Sequence, residues 1–303
     1  MPSSVVTRAP GKINLQLSVG PLQSDGYHPV ATVFQAVSVF DDIKIAISHE
    51  SGITLNSTKA SDYLPLDRNN LAYKAAELMT KKFEINDGLE ITLTKEIPIA
   101  GGMAGGSADA GATIVGIDAL FGLGLSRNEL EKIGSQLGAD IPFTISGGTA
   151  IGTGRGDQIT PVLSRGSYSW VLALSSSGLS TPAVYNECDR LREGLQVASP
   201  HISDSLLHAL SAGDAVALGK ALSNDLQPAA CSLKPALRLI LDVGMDYGAL
   251  GGLVSGSGPT VAFLAENEDH ALDLVVALTS SGVVGNVIRA SGPVPGARVI
   301  ESA

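Results

Sequence analysis

Alternation of apolar and polar positions gives the first elements. The stretch KINLQLSV, residues 12–19, places Ile13, Leu15, Leu17 and Val19 on one face and Lys12, Asn14, Gln16 and Ser18 on the other. That is the period of a half-buried strand, with the Lys12 side chain pointing away from the core. DDIKIAI repeats it with Ile43, Ile45 and Ile47, and LEITL with Leu89, Ile91 and Leu93. ATVFQAVSVF reads as a further segment, separated from the first strand by GPLQSDGYHP, where Asp25-Gly26 marks a turn.

Helices show a different spacing. NNLAYKAAELMTKKF offers Asn70 as an N-cap, with Leu71, Ala75 and Leu78 one helical turn apart. SRNELEKIGSQLG opens on a capping box, Ser126 with Glu129, and closes at Gly138; Leu130, Ile133 and Leu137 form its apolar face. ADAGATIVGIDAL is apolar nearly all round and predicts a buried helix despite Gly116. Composition changes near residue 165, which divides the chain into 1–165 and 166–303, the second part rich in helical patterns. Strands and helices mix in both parts without a regular alternation, so the expected class is α+β rather than a doubly wound sheet.

Composition narrows the functional classes. The chain has 303 residues, 44% hydrophobic and 17% charged, with a formal net charge of -10. Such a surface repels nucleic-acid backbones, although a few local donors can still hold a small anion. Cys188 and Cys231 read as a reduced pair. No apolar signal core and no run of membrane-spanning length stand out, so the expectation is a soluble, cytoplasmic protein, a monomer or weak homodimer, with no membrane or nucleic-acid partner.

The glycine-rich stretch PIAGGMAGGSADAG, residues 98–111, lies between a predicted strand and a predicted helix. Backbone amides and a helix N-terminus converge there, which suits a phosphate, and glycine lets an anion reach the amides. The stretch is neither of the common phosphate loops. Gly101 and Gly106 have the spacing of one, but Ser107 stands where it needs lysine, and the glycines do not follow the dinucleotide pattern. Taken alone, it fits a phosphate loop or a plain glycine turn.

Three segments in order, APGKINLQL, PIAGGMAGGSADAG and VSGSGPTV, resemble the three motifs of the galactokinase, homoserine kinase, mevalonate kinase and phosphomevalonate kinase superfamily. DGYH, GADIPF, GGTAIGTGRGD, STPAVY and NDLQPA resemble, more narrowly, its branch acting on a cytidine-diphospho-methylerythritol substrate in the non-mevalonate isoprenoid pathway. The resemblance runs from about Ala9 to about Ala265. It implies a fold of two parts, the first like ribosomal protein S5 domain 2 and the second ferredoxin-like, with a site in the cleft between them. It also implies ATP with Mg2+ as cofactors, although no carboxylate pair announces a magnesium site.

The resemblance further implies that Pro98, Ile99, Ala100, Gly101, Gly102, Met103, Ala104, Gly105, Gly106, Ser107 and Ala108 wrap the ATP phosphates, and that Asn70 reaches the adenosine. Ser107 and Asn70 also read as simple helix caps. The lysine missing from the loop would be Lys12, with Asn14 beside it on the substrate side; without the flanking motif Lys12 reads as a solvated surface lysine. Asp140 would be the catalytic base, in contact with Lys12; its plainer reading is a loop aspartate on nearby amides. Tyr27 and Tyr185 would sandwich a cytosine, His28 would hydrogen-bond to the base, and Thr181 would belong to the same substrate site; otherwise they read as loop and packing residues. Asp109 stands where some of these relatives carry asparagine, and a carboxylate beside phosphates needs a ribose, a lysine or magnesium to offset it. Two alternatives remain: a sibling kinase for homoserine or mevalonate, and a nucleotide-binding relative without activity.

Overall fold

The computed structural model describes residues 2–59, 64–99, 101–175 and 178–303. Its strands are β1 (Ser4–Val19), β2 (Val30–Ser48), β3 (Ile53–Ser57), β4 (Gly88–Thr94), β5 (Thr149–Thr153), β6 (Gln158–Pro161), β7 (Tyr168–Leu174), β8 (Ser223–Asn224), β9 (Gly251–Val254), β10 (Val261–Ala265), β11 (Asn286–Gly292) and β12 (Arg298–Ser302). Its helices are α1 (Leu71–Lys82), α2 (Gly105–Phe121), α3 (Arg127–Gly134), α4 (Ile141–Ser146), α5 (Thr181–Leu191), α6 (Asp204–Ala212), α7 (Ala215–Ala221), α8 (Gln227–Leu233), α9 (Ala236–Asp246) and α10 (Glu268–Ser280).

Two sheets organise these elements, as expected of an α+β chain. The first runs β12-β1-β2-β4-β3, with β5 and β6 added beside β2 and β8 beside β1; the second runs β11-β7-β10-β9. ATVFQAVSVF and DDIKIAI form one long strand, β2, which pairs antiparallel with β1 and is shared along its length by β5 and then β4. Bulges between Pro10 and Gly11 and between Asn14 and Gln16 bend β1 where the Lys12 motif lies. The chain returns at its end, so β12 closes the open edge of β1.

β1 departs from the half-buried reading. On its apolar face Ile13 and Leu15 enter the main core and Leu17 and Val19 a second one, but Lys12, Asn14 and Gln16 are buried as well, at 5%, 2% and 4% exposure. A second layer covers that face at Gln16, which is hydrogen-bonded to the backbone of His201 and Ser203, while Asn14 bonds Thr32 on the neighbouring strand β2. Gln16 faces another part of the protein, whereas Lys12 and Asn14 face a cavity.

Helix boundaries show what local pattern does and does not fix. The Ser126 capping box forms, with the Glu129 carboxylate accepting from the Ser126 amide at 2.8 Å, but α3 ends at Gly134 rather than Gly138. The buried helix begins earlier than expected, at Gly105, because half of the glycine stretch is already helical. Ser107 is therefore in the first turn and not the cap; the cap is Ala104, in left-handed conformation at φ 58°. Cys188 and Cys231 are both buried free thiols. No helix among the described residues is long and apolar enough to cross a membrane.

The second core packs α9 on its sheet through Gly244. A Cβ there would stand 2.2 Å from a ring atom of the fully buried Phe263. Alanine would raise helix propensity by about 1 kcal/mol, but overpacking a closed core costs about 1–3 kcal/mol. We expect Gly244→Ala to lower the midpoint of urea denaturation; an unchanged or raised midpoint would show that the ring yields.

Candidate active site

A cavity of about 490 Å³ lies where the glycine stretch, β1, β2 and the start of α5 meet. Lys12, Asn14, Asp140, Thr181 and Tyr185 line it together with much of the glycine stretch. The Lys12 ammonium donates to Asn14 Oδ1 at 2.8 Å and stands 5.4 Å from the centre of the Phe34 ring. Asn14 in turn donates to Thr32 at 2.7 Å, and Thr32 donates to the Gln16 carbonyl at 2.6 Å. This chain holds Lys12 in one orientation with a neutral amide as its partner, so its charge is not cancelled by a carboxylate.

The glycine stretch is bound on two sides. The Lys12 amide donates to the Met103 carbonyl at 3.1 Å, which ties the β1 bulge to the loop, and Met103 is buried beneath it. Gly102, at φ 77°, lies against the turn at residues 255–258; a Cβ would stand 2.7 Å from the Ser255 oxygen and 2.8 Å from that of Gly258. Only glycine has both the left-handed conformation and the missing side chain this contact needs. Pro98, Ile99, Gly101, Gly102, Ala104, Gly105 and Gly106 line the cavity, and α2 points its N-terminus there. Met103 and Ala108 are buried below the surface, Ser107 is half-buried in the first turn, and Ala100 lies outside the described residues.

Asn70 both caps α1 and lines the cavity. Its Oδ1 accepts from the Ala72 amide at 2.8 Å while its Nδ2 donates to the Pro65 carbonyl at 2.7 Å. The two readings of this residue are compatible.

Beneath the loop lies a buried ion cluster that the sequence did not announce. The Lys95 ammonium donates to Asp41, to Asp109 Oδ2 at 2.6 Å and to the Gly105 carbonyl at 3.3 Å. Burial opposes the Lys95 charge, but the two carboxylates together outweigh it and hold its pKa above the ordinary lysine value. Burial raises the Asp109 pKa well above the carboxylate range, and Lys95 only partly offsets that. Asp109 thus meets a lysine, one of the partners its position required. Its Oδ1 is buried without a hydrogen-bond partner.

Asp140 immediately precedes α4, a short helix that sequence periodicity did not reveal. Its side chain makes no cap hydrogen bond, so the plainer reading of a carboxylate engaged with nearby amides does not describe it. The Thr144 hydroxyl donates to the Ser107 carbonyl at 3.1 Å, coupling α4 to the first turn of α2. None of the ion pairs among the described residues joins Asp140 to Lys12; the expected contact is replaced by the Lys12–Asn14 bond. Tyr185 does sense Asp140: burial first, then the Asp140 charge, push its phenol up to about 12.

The remaining predicted residues divide. Thr181 shares a hydrogen bond of 2.9 Å with Ser257, at the cavity rim. His28 does not line the cavity; it packs on Tyr185 with ring centres 5.1 Å apart and bonds Asp189 at 2.8 Å. Tyr27 is 54% exposed and also outside the cavity lining, with Arg155 over its ring. Arg155 itself does line the cavity. It lies in the GTGRGD segment already singled out, but no spacing rule assigns a contact to it.

Comparison with known proteins covers nearly the whole chain. The GHMP kinases N terminal domain matches residues 70–148 and the GHMP kinases C terminal domain matches residues 206–284. The chain is 50% identical to the 4-diphosphocytidyl-2-C-methyl-D-erythritol kinase of Nocardia farcinica, over 99% of this chain and 98% of that one. It is 50% identical to the enzyme of the same name from Rhodococcus jostii, over 100% and 97%. Among solved structures, a 4-(cytidine 5'-diphospho)-2C-methyl-D-erythritol kinase superposes with a TM-score of 0.78 at 30% identity, covering 94% of this chain and 98% of that one. Homoserine kinase from Cytophaga hutchinsonii shares the fold, with a TM-score of 0.79 at 20% identity over 99% and 98%. The chain belongs to the 4-diphosphocytidyl-2-C-methyl-D-erythritol kinase family, a branch of the GHMP kinases.

Proposed function

We propose that the protein transfers the γ-phosphoryl group of ATP to the 2-hydroxyl of 4-diphosphocytidyl-2-C-methyl-D-erythritol, in the non-mevalonate route to isoprenoid precursors. The observation that carries this reading is the convergence of Lys12, Asp140 and the glycine stretch on one cavity. Phosphoryl transfer asks little covalent help from a protein: it needs the γ-phosphoryl held in line with the acceptor while charge gathers on its oxygens. The amides at the start of α2 hold the phosphates. Lys12 stabilises the growing charge, since its Asn14 partner orients it without neutralising it. Asp140 accepts the acceptor hydroxyl's proton, its carboxylate having no cap bond to give up.

The described residues contain no cluster of three or more His, Cys, Asp or Glu able to hold a metal. Magnesium would enter on the substrate phosphates, with few protein ligands. Ser107 supplies the one hydroxyl of the glycine segment and is the side chain we assign to it. The ion would neutralise triphosphate charge. Residues 1–165 would form the ATP-binding part and 166–303 the second part, acting in the cytoplasm as a monomer or weak homodimer.

Measuring ADP release with and without the cytidine substrate tests the whole reading. Release that needs the cytidine substrate supports it; release driven by homoserine or mevalonate supports a sibling enzyme, and binding without release a nucleotide-binding relative. Asp140→Asn should lower kcat by about 10²–10⁴-fold while ATP still binds in an equilibrium titration. Near-normal kcat in that variant would remove the proton-accepting role. Tyr27→Ala and Tyr185→Ala should each raise KM for the cytidine substrate by about tenfold or more and leave KM for ATP nearly unchanged, because a stacked base is worth about 1–3 kcal/mol. Equal losses for both substrates would count against base stacking.

A further inference from the structure

Arg155 stands at the tip of the β5–β6 hairpin, in a tight turn closed by the Gly156 amide donating to the Thr153 carbonyl at 2.9 Å. Its own amide donates to Asp157 Oδ1 at 3.2 Å. The guanidinium carbon lies 3.7 Å from the centre of the Tyr27 ring, the distance of a stacked pair. One nitrogen also donates to Asp25 Oδ2 at 3.2 Å, while Asp25 Oδ1 accepts from the Tyr27 amide at 3.0 Å. Asp25 therefore holds the tyrosine backbone and the arginine head together. Arg155 lines the cavity that contains Lys12 and Asp140, and Tyr27 does not. The Arg155–Tyr27 stack therefore stands at the edge of the cavity.

We propose that Arg155 is a specificity-determining residue: it must leave the Tyr27 ring for a pyrimidine base to stack there, and it then pairs with the diphosphate of the same substrate. The inference rests on the substrate reading given above. A planar guanidinium at stacking distance fills the thickness of an aromatic base, so one face of Tyr27 cannot carry both. Leaving is easy, because the Arg155 side chain is 53% exposed and that of Asp25 48%, and ion pairs in such surroundings are weak. A diphosphate offers the displaced fork a better partner, through paired charge-assisted hydrogen bonds. A bare cytidine must displace the same guanidinium and gives it nothing in return. The swap favours nucleosides that carry phosphate over those that do not.

The test is isothermal titration of cytidine and of cytidine 5'-diphosphate into the wild-type protein, Arg155→Ala and Arg155→Lys. For Arg155→Ala, cytidine should bind about two- to fivefold more tightly, the worth of an exposed cation–π contact removed. Cytidine 5'-diphosphate should bind about tenfold or more weakly, the worth of a charged hydrogen-bonded pair. Arg155→Lys, with charge but no planar fork, should keep the cytidine gain and restore part of the diphosphate affinity. Parallel weakening of both ligands in Arg155→Ala would overturn the proposal, since it would make Arg155 a fixed brace for Tyr27. So would unchanged affinities, or a wild-type protein that binds neither ligand. The kinase reading fails separately, through absence of substrate-dependent ADP release in the wild type, and the titrations remain readable in that case.

Discussion

Backbone touches backbone where Gly102 meets the Ser255–Gly258 turn, and the cavity owes its shape to that contact. The two segments are more than 150 residues apart in sequence, yet nothing larger than a hydrogen fits between them. Supporting bonds run beside it: the Thr260 amide donates to the Gly101 carbonyl at 3.3 Å, and the Ser255 hydroxyl to that of Gly102 at 3.4 Å. With the loop pinned on this side and joined to Lys12 through Met103 on the other, its amides have little room to reorient. Preorganisation of that kind lets dipoles act on developing charge without first rearranging.

The charge arrangement around the loop follows a clear division. The protein is acidic overall, with a formal net charge of -10, but three cationic side chains line this one cavity: Lys12, Lys95 and Arg155. Lys95 is engaged by two carboxylates, and its role is to fix the start of α2 from below. Arg155 is shared between Asp25 and Tyr27. Lys12 alone has a neutral partner, so it carries the positive charge most available to a phosphate. A mean field set by the whole surface says little about a site where three cations are placed individually.

Much of this was legible in the sequence wherever the governing interaction is local. The period of KINLQLSV, the Ser126 capping box and the Asn70 cap each depend on residues within a few positions, and all three form. Ordered motifs went further and indicated that Lys12, Asp140 and the glycine stretch belong together. What could not be read depends on distant partners. Nothing in the alternation of β1 tells that Gln16 on its polar face is covered by residues 201–203. Asp41 sits in an ordinary strand pattern, and its pairing with Lys95 across 54 positions has no periodic signal. Arg155 is the same case, 128 positions beyond the ring it covers. α4 was missed because six residues are too few to display a helical period.

The return of β12 to the edge of β1 has a mechanical consequence. The second sheet is connected to the first at both of its ends, through the segments before β7 and after β11, so it is a closed excursion from the first sheet rather than a pendant on one string. β8, lying parallel to Gln16 and Leu17, adds a third seam close to the Lys12 motif. Side chains cross as well: the Trp170 indole of β7 donates to Gln35 of β2 at 2.9 Å and lies in the same buried core as Ile13 and Leu15, so parting the sheets would open that core to water.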